Sequence, residues 1–109
     1  MPVIVGAGQF TAPVAPESTH FDEHLASADL SIGTYSIPAG GVDDQTPHTE
    51  DEIYVVTAGR ATFVDTAGSA PIAPGDTIFV AAGAEHRFVD ITEDLVLVVV
   101  FAPPYGTRT

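Results

Sequence analysis

The chain has 109 residues, 45% of them hydrophobic, and fifteen acidic residues stand against three arginines and no lysine, for a formal net charge of −12. That length holds one domain, residues 1–109, with a modest core, and the scarcity of cations excludes nucleic acid and anionic membranes as partners, because neutralising phosphates needs clustered Lys or Arg. With no cysteine there are no disulfides, thiolate metal sites or cysteine nucleophiles, so any metal must be held by His and carboxylate.

The first residues, Met1-Pro2-Val3-Ile4-Val5-Gly6, carry no basic leader ahead of a long apolar stretch, and a cytoplasmic location is expected. The acidity fits a halophilic or simply very soluble protein. A helix is predicted over residues 20–26: Phe21 and Leu25 are one turn apart, and Asp22 and Glu23 suit a helix N-terminus. His20 and His24 have helical spacing within it and read as surface residues. Strands are predicted at 29–37, 52–57, 60–65, 77–80, 86–90 and 95–101, rich in Val, Ile, Thr, Phe and Tyr and separated by Gly and Pro. The apolar run 95–102 is far below the ~20 residues needed to span a bilayer and reads as a buried strand. Many short strands at this spacing indicate an all-β sandwich or barrel.

His48 and Glu52 pose a geometric question. On one continuous strand they would stand roughly 13 Å apart, too far to share an ion through bonds of ~2.1 Å each. Either the chain turns between them or they lie one helical turn apart. Thr49-Glu50-Asp51-Glu52 matches a capping box, but Ile53-Tyr54-Val55-Val56-Thr57 is β-branched or aromatic throughout and Gly59 stops the run. A turn at 49–51 is therefore predicted, with His48 ending one strand and Glu52 beginning the next. Glu52 shares a strand face with Tyr54 and Val56, so it faces the interior, where an unpaired carboxylate is costly and needs a partner. Pro74-Gly75-Asp76 and Ala82-Gly83-Ala84 read as turns, the second delivering His86 onto a new strand. There Phe88 and Asp90 share the face of His86, and Arg87 points away.

These residues fall into a known pattern. The chain resembles the cupin superfamily, whose first motif, G-x5-H-x-H-x3-4-E-x6-G, fits as Gly40, Thr46 in place of the first His, His48, Glu52 and Gly59. The second motif, G-x5-P-x-G-x2-H-x3-N, fits as Gly75, Ala81 in place of Pro, Gly83, His86 and Asp90 in place of Asn. The motifs span about 40–59 and 75–90, with fifteen residues between Gly59 and Gly75.

The resemblance implies a double-stranded β-helix, or jelly roll, enclosing one pocket. It implies a divalent metal, Fe(II), Zn, Mn or Ni, on His48, Glu52 and His86, with Thr46 at the position of the missing ligand and Gln45 beside it. Two His and one carboxylate also form the facial triad of non-haem Fe(II) oxygenases and suit catalytic zinc. Gln45, Thr46, Tyr54 and Phe88 are the candidate pocket residues. The implied function is a metal-dependent enzyme of a small organic molecule, in which Glu52 completes the coordination sphere. Dioxygenases lead the implied classes; isomerases, lyases and decarboxylases also occur in the superfamily. The alternative is a non-catalytic module that stores or senses a small ligand. A homodimer is expected from family habit and from strand edges that need covering.

Overall fold

The computed structural model describes residues 1–107. Their regular structure is all β: β1 (His20–Ala26), β2 (Ser31–Ile37), β3 (Asp51–Asp65), β4 (Gly68–Ile72), β5 (Thr77–Val80) and β6 (His86–Ala102). Every pairing is antiparallel, in the order β1-β2-β6-β3-β4, with β5 added against β3. This is the expected jelly roll. The described residues include no helix long and apolar enough to cross a membrane.

The fold closes because β3 and β6 are long and bent. The 15-residue β3 pairs with β6 along its length, from Asp51 opposite Ala102 to Asp65 opposite His86. Its first part, Glu52 to Val55, also pairs with β5, and its second part, Ala61 to Asp65, with β4. Between the parts the register shifts at Val56/Ala58, Ala58/Arg60 and Arg60/Thr62. Such irregularities bend a strand and raise its twist. The inward face carries Glu52, Tyr54 and Val56 before the shifts and Gly59, Ala61 and Phe63 after them. In β6 the corresponding break falls at Asp90, whose φ of 50° lies in the left-handed region. His86 and Phe88 are buried before it and Ile91, Leu95, Leu97, Val99 and Phe101 after it. Asp90 itself is exposed and so does not share the face of His86.

The residues predicted as separate strands 52–57 and 60–65 are thus one strand, as are 86–90 and 95–101. Gly59 and the acidic stretch before Leu95 punctuate the sequence, but the ladder runs through both. The predicted helix at 20–26 is β1, paired with β2 from His20 opposite Ser36 to Ala26 opposite Ser31. A seven-residue segment is too short to hold a helix alone, and the open edge of β2 offers a ladder instead. Residues four apart share a face in a strand as they do on a helix, so the spacing of Phe21 and Leu25 does not separate the two; a bulge lies between Glu23 and Leu25. His24 is half-buried, its Nε2 sharing a hydrogen bond with Thr34 Oγ1 at 2.7 Å, while His20 stays near the surface beside Asp22. β4 is absent from the expectations because Gly68-Ser69-Ala70-Pro71 has little strand preference of its own.

The core packs Ile37, Tyr54, Val56, Phe88, Leu95 and Leu97, each at most 1% exposed. The Phe88 ring meets Tyr54 edge-on at 5.1 Å and tilts against Phe63 at 5.5 Å. Phe88→Leu is expected to cost roughly 1–2 kcal/mol, since it changes shape more than apolar volume. Urea unfolding with an unchanged slope would measure it.

Candidate metal centre

The centre is assembled from one loop and two strands. Residues 41–48 have no regular structure, and Asp43 pins them to the barrel. Its Oδ1 accepts hydrogen bonds from Tyr35 Oη at 2.7 Å and the Gln45 amide at 3.3 Å. Its Oδ2 accepts from Gln45 Nε2 at 2.7 Å and the Phe88 amide at 2.9 Å. Further along, the Gly83 amide donates to the His48 carbonyl at 2.7 Å, and the Ala82 amide to Asp51 Oδ1 at 2.8 Å. The chain bends at 49–50 and enters β3 at Asp51. The expected turn is present, but His48 ends a loop, not a strand.

The bend brings His48 Nδ1 to 2.7 Å from Glu52 Oε1. Glu52 lies in β3 between Val80 and Phe101, and His86 opens β6 with its Nε2 3.6 Å from the same oxygen. Ligand atoms of all three residues fall within 4.8 Å of one another. Bonds of about 2.1 Å to a common ion put neighbouring ligand atoms some 3–4 Å apart, so the spacing suits one cation once the proton between His48 and Glu52 has left.

The electrostatics favour the same reading. Glu52 is 1% exposed, and its Oε2 accepts no hydrogen bond among the described residues. Neither described arginine serves it: Arg60 pairs with Glu93 and Arg87 is exposed. A buried carboxylate with one idle oxygen and two imidazoles for company is a costly arrangement without positive charge. A divalent cation supplies that charge, and the residues present fit it.

The histidines are prepared differently. His86 Nδ1 lies 3.0 Å from the Ala84 carbonyl, so it carries the proton and leaves the Nε2 lone pair toward the centre. Tyr54 Oη sits 3.0 Å from that Nε2 and 3.1 Å from Gln45 Oε1, one proton between two acceptors. Burial, then the Glu52 charge, push the Tyr54 hydroxyl well above the usual tyrosine range. His48 is raised above the ordinary value of 6.5, chiefly by its hydrogen bond to Glu52 and against the opposing effect of burial. Protonated His48 therefore stabilises the metal-free fold fully below about pH 6.5, and this contribution is lost as pH rises through the raised value. The melting temperature of metal-free protein is expected to fall over that range, and His48→Gln to flatten the profile. An ion must displace the same proton, so metal uptake is expected to strengthen as pH rises.

A cavity of about 270 Å³ adjoins His48 and is lined in part by Gln45, Thr46 and Tyr54. Phe88 does not line it and packs under Tyr54. Thr46 is exposed at the rim and also borders a second cavity, of about 520 Å³, with His86 and Arg87. Four further residues of the site had no signal in the sequence. Asp43 and Glu50 fill unspecified positions of the first motif, and Tyr35 and Tyr105 lie outside both motifs. Glu50 is 2% exposed and accepts hydrogen bonds from Thr49 Oγ1 at 2.7 Å and from the Gly106 amide at 3.2 Å, tying the C-terminal turn to the metal loop. Tyr105 then rests on His48, with centroids 5.4 Å apart.

Fold and site together define a small antiparallel β-barrel with a buried His/Glu/His cluster at its centre. The chain belongs to the cupin family, residues 33–101 matching the cupin domain. It is 40% identical over 82 residues to an uncharacterized protein of Streptomyces coelicolor, a match covering 75% of this chain and 78% of that one. Solved structures with the same fold include KdgF from a Halomonas species, at 18% identity and a TM-score of 0.75, with 86% of each chain covered. The DMSP lyase DddQ from Ruegeria pomeroyi matches at 22% identity and a TM-score of 0.74, covering 84% of this chain but only 49% of that one. A predicted oxalate decarboxylase from Thermotoga maritima matches at 22% identity and a TM-score of 0.66, with 77% and 79% covered. At such identities the likeness concerns the fold.

Proposed function

We propose that the chain is a metal-dependent enzyme acting on a small organic molecule, with a divalent ion held by His48, Glu52 and His86. The observation that carries this reading is the buried Glu52 carboxylate, which among the described residues has one oxygen unpartnered and faces two imidazole nitrogens with no arginine beside it. When bound, the ion supplies a Lewis acid or an O2-binding centre at the positions that three ligands leave open. Glu52 provides negative charge to that centre, and the Ala84 carbonyl holds the His86 ring in the ligating tautomer. Tyr54 keeps its proton at neutral pH and presents it beside the His86 nitrogen, where it can pass to a substrate oxygen or hold that oxygen in place. Gln45, itself oriented by Asp43, fixes the Tyr54 hydroxyl.

The two-histidine, one-carboxylate set makes dioxygenation the first reaction class to test, and the lyase and predicted decarboxylase among the structural neighbours support an enzyme in general. Metal analysis of protein made without a His tag in metal-replete medium is the experiment. Stoichiometric iron, manganese, nickel or zinc is expected, and its loss in His86→Ala. Protein free of metal under these conditions overturns the enzyme reading and leaves a binding module. If the metal is iron, nitric oxide must perturb its spectrum; an unchanged spectrum removes the oxygenase class.

A further inference from the structure

The cavity beside His48 has a lining that discriminates by charge. Six of the eleven described residues that line it carry rings: Phe21, Tyr35, His48, Tyr54, Phe101 and Tyr105. Four of these support one another. Phe101 and Tyr105 stand 4.9 Å apart, His48 lies 5.2 Å from Phe101 and 5.4 Å from Tyr105, and Phe21 lies 5.9 Å from Tyr105. The exposed carboxylate of Asp44 completes the rim, and no described lining residue is an arginine. Of the described arginines, Arg60 is paired with Glu93, and Arg87 borders the other cavity, together with Glu85 and Asp65. The carboxylates of Asp43, Asp44, Glu50 and Glu52 gather around the first cavity and the centre beside it. They exceed the charge of one divalent ion.

We propose that this cavity takes a small organic cation, a methylated ammonium or sulfonium group being the chemistry its walls recognise. The proposal rests on the metal reading of the neighbouring centre, since it names the substrate class of that site. Aromatic faces carry the negative part of the ring quadrupole, and a weakly hydrated cation among several of them is held by cation–π attraction. The acidic rim draws cations in and repels anions. Among the described residues a dicarboxylate would find no guanidinium or ammonium to receive it, and it would meet Asp44 at the entrance. The cavity volume, about 270 Å³, lies just below the range of pockets for drug-sized ligands and suits a smaller occupant.

The test uses three probes of similar shape and different charge: tetramethylammonium, tert-butanol and pivalate. Each is titrated calorimetrically into zinc-loaded and into metal-stripped full-length protein. Tetramethylammonium is expected to bind about tenfold tighter than tert-butanol in both forms, and pivalate more weakly than either. Asp44→Asn, an exposed loop change that spares the fold, is expected to weaken tetramethylammonium roughly threefold and to leave tert-butanol unaffected. Tyr105→Leu should weaken tetramethylammonium alone. Equal binding of the cation and the alcohol, tighter binding of pivalate, or no binding of the cation each overturns the proposal. The two readings fail separately. A protein that selects the cation but holds no metal loses only the metal reading, and one that holds metal stoichiometrically but ignores charge loses only this one.

Discussion

Glu52→Gln is expected to abolish the thermal stabilisation that a divalent metal gives the wild-type protein while leaving the metal-free protein, at a pH above the raised His48 value, at least as stable as before. Wild-type protein in metal at a thousandfold excess over the dissociation constant gains about 4 kcal/mol by mass action, more than about 10 °C in a domain of this size. Glutamine keeps the volume of Glu52 and its place between Val80 and Phe101, but it removes the negative charge on which the ion depends. Without metal, that same charge is a liability: it is buried, one of its oxygens is idle, and only a half-buried His48 offsets it. Above the raised His48 value no protonated imidazole is left to pair with, and a buried carboxylate without a compensating charge carries a desolvation cost that glutamine avoids. The pH dependence attributed to His48 should vanish in the same variant. Melting curves with and without zinc decide the matter. A variant that keeps the metal-induced shift, or that melts far below wild type without metal, would overturn the assignment of Glu52.

The second large effect is expected at Gly59. Its φ of 88° is available to glycine and strained for any L side chain. More severely, an added Cβ would land on the Asp94 carbonyl, in the backbone of the neighbouring strand, which has no side-chain freedom with which to yield. Gly59→Ala is therefore expected to cost more than about 4 kcal/mol, the range reserved for named backbone or packing failures. That is a large share of the 5–15 kcal/mol by which domains are usually stable. The measurable outcome is insoluble expression or a collapse of the urea midpoint. A variant within about 1 kcal/mol of wild type would show that the bend at the middle of β3 is not the constraint it is taken to be.

Much of this architecture was legible because the period of two is strong where it matters. Glu52, Tyr54 and Val56 announce a buried face, and the turn at 49–50 follows from the reach of a strand and the length of a metal bond. Long strands were harder to read, because glycine and acidic residues look like breaks. At Gly59 the chain bends without leaving the ladder, and at Asp90 a single left-handed residue shifts the inward face by one position. β1 was misread because residues four apart, such as Phe21 and Leu25, share a face in a strand as well as on a helix. In the site, the three residues that converge could be named, since their chemistry is distinctive and their spacing follows a motif. The residues that hold them could not. Asp43 accepts four hydrogen bonds and Glu50 anchors the C-terminal turn, yet in sequence both are only two more acids among fifteen. The role of each depends on partners from distant parts of the chain: Tyr35, Phe88 and Gly106.

The unequal mounting of the three convergent residues has an evolutionary reading. Glu52 and His86 stand on β3 and β6, whose mutual ladder is also the spine of the barrel, whereas His48 rides on a loop fastened by Asp43 and by the Gly83 amide. Substitutions between Gly41 and His48 can add, remove or re-aim a ligand without disturbing a single rung of that ladder, and Thr46 stands in the same stretch. The barrel and its ligand set are inherited on separate terms: a descendant can lose, regain or replace a ligand at His48 while keeping the same scaffold.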